Sequence, residues 1–204
     1  MTAAPMRNNV LPGVPSFSWE HHATDVSVTD GALRLVAPSR TDWIADAATG
    51  ELVLSAPAVG FTGPDEYILS ARVRPAFAAT FDAGVLVIYQ DEITWAKLCF
   101  EFSPQGQPMV VSVVTRGLSD DCNSVPLDQD WVELRVARTG HTFAFHYSLD
   151  GHFWHFVRLF ALGEGDAVLR TGFLAQSPMG NGSHAVFSNV RYEERRLADY
   201  RDGS

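Results

Sequence analysis

No apolar run in this sequence approaches the ~20 residues that a membrane-spanning helix needs, and nowhere does the 3.6-residue period of an amphipathic helix persist. The opening stretch, MTAAPMRNNVLPGVP, carries no apolar block of the secretory-signal kind. It sets the expectation of a cytoplasmic protein that engages no membrane. Cations are scarce: 15 Lys and Arg stand against 24 Asp and Glu, a net charge of -9. Nucleic acid and anionic bilayers are held by clustered cations. The one basic group, Arg191, Arg195 and Arg196, is interrupted by Glu193 and Glu194, so nucleic acid is not expected as a partner. Two cysteines, Cys99 and Cys122, are too few for the disulfide framework of a small secreted domain. No Gly-rich phosphate loop runs from a strand into a helix and no nucleophile elbow is present. The histidines fall at no zinc-ligand spacing, and Asp120, Asp121 and Asn123 have the make-up of an ordinary solvated loop. Neither cofactor nor metal is expected.

What is present is alternation. Asp82 to Phe102, DAGVLVIYQDEITWAKLCFEF, reads as a β-hairpin: an apolar, β-branched run, a polar turn, then a period-two strand. Ala96, Leu98, Phe100 and Phe102 share one face, so Trp95, Lys97, Cys99 and Glu101 share the other. That second face either meets solvent or lines a cleft. Asp30-Gly31 between alternating runs marks a second hairpin, and Thr139-Gly140 a third. Further strand patterns occur at Phe17 to Trp19, Glu51 to Ala56, Tyr67 to Val73, Met109 to Thr115, Trp131 to Arg138, His141 to Ser148, Phe153 to Phe160, Val168 to Gln176 and Ala185 to Tyr192. Pro38 to Thr49 and Arg116 to Gln129 read as polar loops. The expected organisation is an N-terminal arm over 1–15, one β-sandwich domain over 16–193 and a tail over 194–204, partly helical or disordered.

The ordered set Phe17-x-Trp19, Thr41-Asp42-Trp43, Asp82-Ala83-Gly84, Trp95-x-Lys97-x-x-x-Glu101, Ser119-Asp120, Tyr147-Ser148-x-Asp150-Gly151-x-x-Trp154 and Gln176-Ser177-Pro178 resembles an uncharacterised family. That family lies in the concanavalin A-like lectin/glucanase superfamily and includes the fungal regulator-of-enolase proteins. The resemblance runs from about Phe17 to Tyr192. It implies an all-β jelly-roll sandwich of two antiparallel sheets, one concave, with a cleft across its face where relatives in the superfamily hold sugars. It implies no reaction, because fold does not fix function. The sequence departs from the pattern at Asp121, where an aromatic is expected, and in an enlarged loop over Ala45 to Gly50.

Lys97 and Glu101 are the candidate catalytic pair. They lie about 13 Å apart along one strand, so each needs another partner. If their face is the concave one, Asp42, Ser119 and Asp120 would supply polar contacts from neighbouring segments, and Trp43 and Trp95 would offer stacking surfaces to a sugar ring. A binding protein for a carbohydrate or sugar-like metabolite asks only for this lining. A glycosidase asks for two suitably spaced carboxyls, and the Glu-x-Asp-x-Glu strand signature of retaining sandwich glucanases is missing. Three readings stay open: a ligand-binding sandwich, a glycoside-acting enzyme with Glu101 as acid or base, and an interaction module with no small ligand. Ser148-x-Asp150-Gly151-x-x-Trp154 resembles the Asp-box hairpins of sugar-related β folds and reads as turn chemistry.

Overall fold

The computed structural model describes residues 11–23 and 25–204. The first ten residues of the expected arm lie outside them, while Leu11 and Val14 are buried in the core. Sixteen strands and no helix occur among the described residues. One sheet has the order β1 (Trp19–His21), β6 (Ala58–Thr62), β15 (Arg170–Gln176), β8 (Ala83–Asp91), β9 (Thr94–Phe102), β10 (Pro108–Arg116), β11 (Leu118–Pro126). The other has the order β14 (His155–Ala161), β13 (Thr142–Ser148), β12 (Val132–Thr139), β7 (Glu66–Pro75), β16 (Gly182–Glu193), β3 (Ala32–Pro38), β2 (Val26–Thr29). Both sheets are antiparallel throughout, and the expected jelly-roll sandwich is the fold observed.

The main core is made by one face of each sheet. Leu86, Ile88, Leu98, Phe100 and Val110 from the first meet Leu69, Val73, Leu134, Val136, Phe145 and Phe187 from the second. The inward row of β9 is the one its alternation marks. At Gly84 the sheets approach so closely that a Cβ would lie 2.6 Å from Val73 Cγ1 and 2.9 Å from Ala185 Cβ. No larger residue fits that crossing.

Three expectations are corrected. The polar stretch after Arg116 is not a loop: β11 pairs residue for residue with β10, past one bulge at Val110/Val111. Its pattern hid it, because an edge strand that projects beyond the core needs no apolar face. The segment after Pro38 holds β4 (Trp43–Ala45), which pairs with β5 (Leu52–Leu54) as a small separate hairpin. The tail at 194–204 contains no helix; Leu197 is buried against Ile68, Ala137 and Ala144 on the outside of the second sheet. A single apolar anchor produces no helical period.

The hairpin at Ser148 is the turn its sequence describes. Ser148 Oγ accepts from Gly151 N at 2.9 Å, and Asp150 Oδ1 accepts from His152 N at 2.8 Å and Phe153 N at 2.9 Å. The Phe153 and His152 amides hold the Asp150 carboxyl down to about 2. Gly151 has φ +78°, a region that costs a β-branched residue most. Gly151→Val should therefore destabilise the fold by about 1 kcal/mol or more in denaturant unfolding. A loss of ligand affinity at unchanged stability would instead put this turn in a binding site.

Candidate functional site

The outer face of the first sheet can be read row by row from its register. Trp19, Gly60, Gly172, Val87, Lys97, Val113 and Asp121 stand opposite one another across seven strands. The next row toward the Glu101 end carries Cys99 and Val111, and the one after it Gln176, Ala83, Glu101 and Met109. The β4–β5 hairpin packs on this face, so Trp43, Trp95, Cys99, Val85, Val87 and Val113 form a second apolar cluster. Trp95 and Cys99 are fully buried and Lys97 is 3% exposed. For Trp95, Lys97 and Cys99 the solvent-facing alternative is thus overturned, because a separate hairpin covers them, while Glu101 stays partly open.

Lys97 is the only lysine in the chain. Its three donor positions are matched by three acceptors: Trp43 O at 2.6 Å, Gln176 Oε1 at 3.0 Å and Asp42 Oδ1 at 3.4 Å. Burial works against the ammonium, but neighbouring acids, Asp42 foremost, hold its pKa above the ordinary value. Lys97 fastens the hairpin to the sheet, and Asp42 helps aim it by accepting from Trp43 N at 2.7 Å. Lys97 and Glu101 do not bond directly; Gln176 joins them, its amide group donating to Glu101 Oε2 at 3.4 Å and to Phe81 O at 3.2 Å. Burial pushes the half-buried Glu101 carboxyl up to about 7, Lys97 opposing and Asp42 and Asp121 reinforcing. The Cys99 thiol is raised by burial and stays protonated at neutral pH.

The other candidates separate. Ser119 is a clip: its Oγ accepts from Ala45 N at 2.9 Å and pairs with Thr115 Oγ1 at 2.9 Å. Trp43 is fully buried, and its indole N–H donates to Ala56 O at 2.9 Å. Its ring meets His21 at 5.0 Å, Tyr89 at 5.4 Å and Trp95 at 5.8 Å. Neither Trp43 nor Trp95 presents a free face to a sugar, because Trp43, on the hairpin, is pressed down onto Trp95 of the sheet and both are fully buried. Asp120 also lies elsewhere. It stands opposite Val114, on the core side of the edge strand, and its Oδ2 pairs with Arg158 Nη2 of β14 at 2.8 Å, linking the rims of the two sheets. Alternation places its neighbour Asp121 on the Lys97 row instead, where partial desolvation of an otherwise exposed carboxyl raises it, Lys97 opposing and Asp42 and Asp120 reinforcing.

Two residues outside the candidate set complete the arrangement. Gln176 is the bridge, and Asp82, fully buried, accepts from Ser177 Oγ at 2.7 Å and from Ala78 N and Ala79 N at 3.0 and 2.9 Å. Ser177 in turn pairs through its backbone with Thr41, the residue before Asp42. Both belong to motifs of the family resemblance, Asp82-Ala83-Gly84 and Gln176-Ser177-Pro178, which was the available signal. A shallow hollow of about 370 Å³ beside Gly106, Pro108, Leu127 and Asp130 shares none of these residues. Cys99 is buried and Cys122 exposed, and both are free. Cys122 should react with a thiol reagent in the folded protein and Cys99 only after unfolding; two equally fast thiols would contradict the burial of Cys99 under the hairpin.

Residues 19–195 match the family described as protein of unknown function (DUF1349). The fold superposes on a functionally unknown protein of Saccharomyces cerevisiae with a TM-score of 0.79 and 23% identity, over 86% of this chain and 95% of that one. It superposes on the xylan beta-1,4-xylosidase of Bacillus halodurans C-125 with a TM-score of 0.67 and 18% identity, over 81% of this chain and 33% of that one. The chain thus spans a third of that enzyme's length. Among curated proteins, none matches the sequence. At these identities the likenesses are of fold alone.

Proposed function

The chain belongs to the family of proteins of unknown function DUF1349, and from that premise we propose that it binds a small polar ligand, a carbohydrate or sugar-like metabolite, beside Glu101. The observation that carries this reading is the Glu101 carboxyl. It is half-buried, hydrogen-bonded among the described residues only to Gln176, and pushed up to about 7. A carboxyl near its midpoint both accepts from and donates to sugar hydroxyls. The charges of the exposed Asp121 and the partly open Asp42 reach it, and the same outer face carries Met109 beside it and Cys99, Val111 and Asn123 on the next row. Lys97 and Ser119 serve as positioning residues that hold the Asp42–Ala45 segment against this rim. The acid-rich setting disfavours nucleic acid and anionic membrane. No helix among the described residues is long and apolar enough to cross a membrane, and an exposed free thiol at Cys122 suits a reducing cytoplasm.

A second reading, a glycoside-acting enzyme, is favoured by the same carboxyl, since a general acid needs a pKa near the working pH. Asp121 on the Lys97 row would be the second carboxyl. A glycan array followed by calorimetry, run beside a glycosidase substrate screen, separates the readings. The binding proposal expects saturable affinity for a saccharide without turnover. Turnover would favour the enzyme, and silence in both assays would leave the interaction-module reading.

A further inference from the structure

On the outside of the second sheet, Arg135 and His146 stand directly opposite each other on β12 and β13. Arg135 is 4% exposed and His146 fully buried. Among the described residues, Arg135 Nε and Nη2 and His146 Nδ1 have no hydrogen-bond partner. Nε and Nη2 form one edge of the guanidinium, two parallel donors with the spacing of two oxygens of an oxyanion. The flat face is used separately, with Cζ 4.2 Å from the Trp154 ring centroid, which leaves that edge unspent. Among the described residues no carboxylate forms an ion pair with it. Glu133 is taken by Arg72 at 3.0 Å, and Glu193 by Arg195 at 2.6 Å.

His146 defines the rest of the chemistry. Its Nε2 lies 2.6 Å from Tyr200 O, and a carbonyl only accepts, so Nε2 carries the proton. Burial, reinforced by Arg135, holds the ring down to about 4, so it is neutral and Nδ1 is an acceptor. Two donors on Arg135 and one acceptor on His146 thus go unused beside each other. A fully deprotonated anion would meet the lone pair of Nδ1 with another lone pair. An oxyanion that keeps one proton satisfies all three atoms.

We propose that Arg135 and His146 form a binding site for inorganic phosphate carrying at least one proton, closed in this structure by residues 197–204. Gly203 packs against Arg135 Nη2 and Trp154, leaving no space there even for a methyl group. Leu197 and the bond from His146 to Tyr200 O hold the segment down. Phosphate entry therefore requires the end of that segment to move outward.

The test is calorimetric titration of the full chain at about pH 8, where inorganic phosphate keeps a proton while sulfate has none and a phosphate monoester, with its second pKa at about 6, has lost its own. Inorganic phosphate should bind saturably, one per chain, and sulfate and glycerol 1-phosphate should bind about tenfold more weakly or not at all. Arg135→Lys keeps the charge but loses the edge of paired donors, and should weaken phosphate by about tenfold or more. Arg135→Gln should abolish binding while the protein stays folded by circular dichroism, because among the described residues the side chain has packing contacts but no hydrogen bond to lose. Phosphate should also speed hydrogen exchange at the Gly203 amide, which donates to Asp199 O at 3.0 Å. Absence of saturable phosphate binding, equal affinity for sulfate, an unaltered Arg135→Lys protein, or binding that leaves Gly203 exchange unchanged would each overturn the proposal.

Discussion

Lys97→Met should lower the unfolding free energy by about 3 kcal/mol or more and release the β4–β5 hairpin from the sheet. The side chain is 3% exposed and bonds Trp43 O, Gln176 Oε1 and Asp42 Oδ1. Methionine fills a similar volume, so the cost comes from the acceptors left behind. Trp43 O and Gln176 Oε1 lose a donor in a site closed to water, and the Asp42 carboxylate, 22% exposed, loses its ion pair. Denaturant unfolding measures the total. Hydrogen exchange over residues 42–56 tells whether the hairpin loosens. A change below about 1 kcal/mol with unaltered exchange would mean that the apolar packing of Trp43 holds the hairpin unaided. Ligand affinity should fall as well, since Asp42 is aimed by the same hairpin.

Glu101→Gln should remove ligand binding and should also change how stability depends on pH. The folded-state carboxyl titrates at about 7 against an ordinary 4.5, chiefly because it is buried. Between those values the folded chain binds a proton that the unfolded chain has released. Stability supplied by this group is therefore complete below the ordinary pKa and is lost as pH rises through about 7. Across about pH 5 to 8 the parent should lose about 2 kcal/mol relative to Glu101→Gln, which carries no such proton. Taking the difference between the two proteins matters. His146, held down to about 4 by burial, acts with the opposite sign, adding stability as pH rises from about 4 toward 6.5. That contribution is common to both proteins and cancels. Parallel stability profiles for parent and variant would show that Glu101 is solvated in solution. Unchanged affinity for a ligand found in the array would remove it from the site.

Asp120 and Asp121 mark how far the site was legible. They are adjacent and chemically alike, and only the register of β11 on β10 decides that one reaches Arg158 on the opposite sheet while the other stands on the Lys97 row. Nothing within the stretch Asp120 to Asn123 encodes that choice, because all four side chains are exposed. Trp43 and Trp95 mislead for a related reason. Aromatic residues near a mixed polar face suit a sugar platform as well as a buried seam, and here Trp43 belongs to the hairpin that closes over Trp95 from 52 positions earlier in the chain.

Alternation alone determined that Trp95, Lys97, Cys99 and Glu101 share a face, because the side-chain period of two is local stereochemistry that each strand carries with it. The same rule, with turn chemistry at Asp30-Gly31, Thr139-Gly140 and Ser148 to Gly151, made the sandwich readable. Tertiary structure decided what that face meets. Lys97 reaches Asp42 across 55 residues of sequence and Gln176 across 79. Such contacts follow from how strands register and how a hairpin folds over a sheet, and those depend on the summed burial of many side chains rather than on any local pattern.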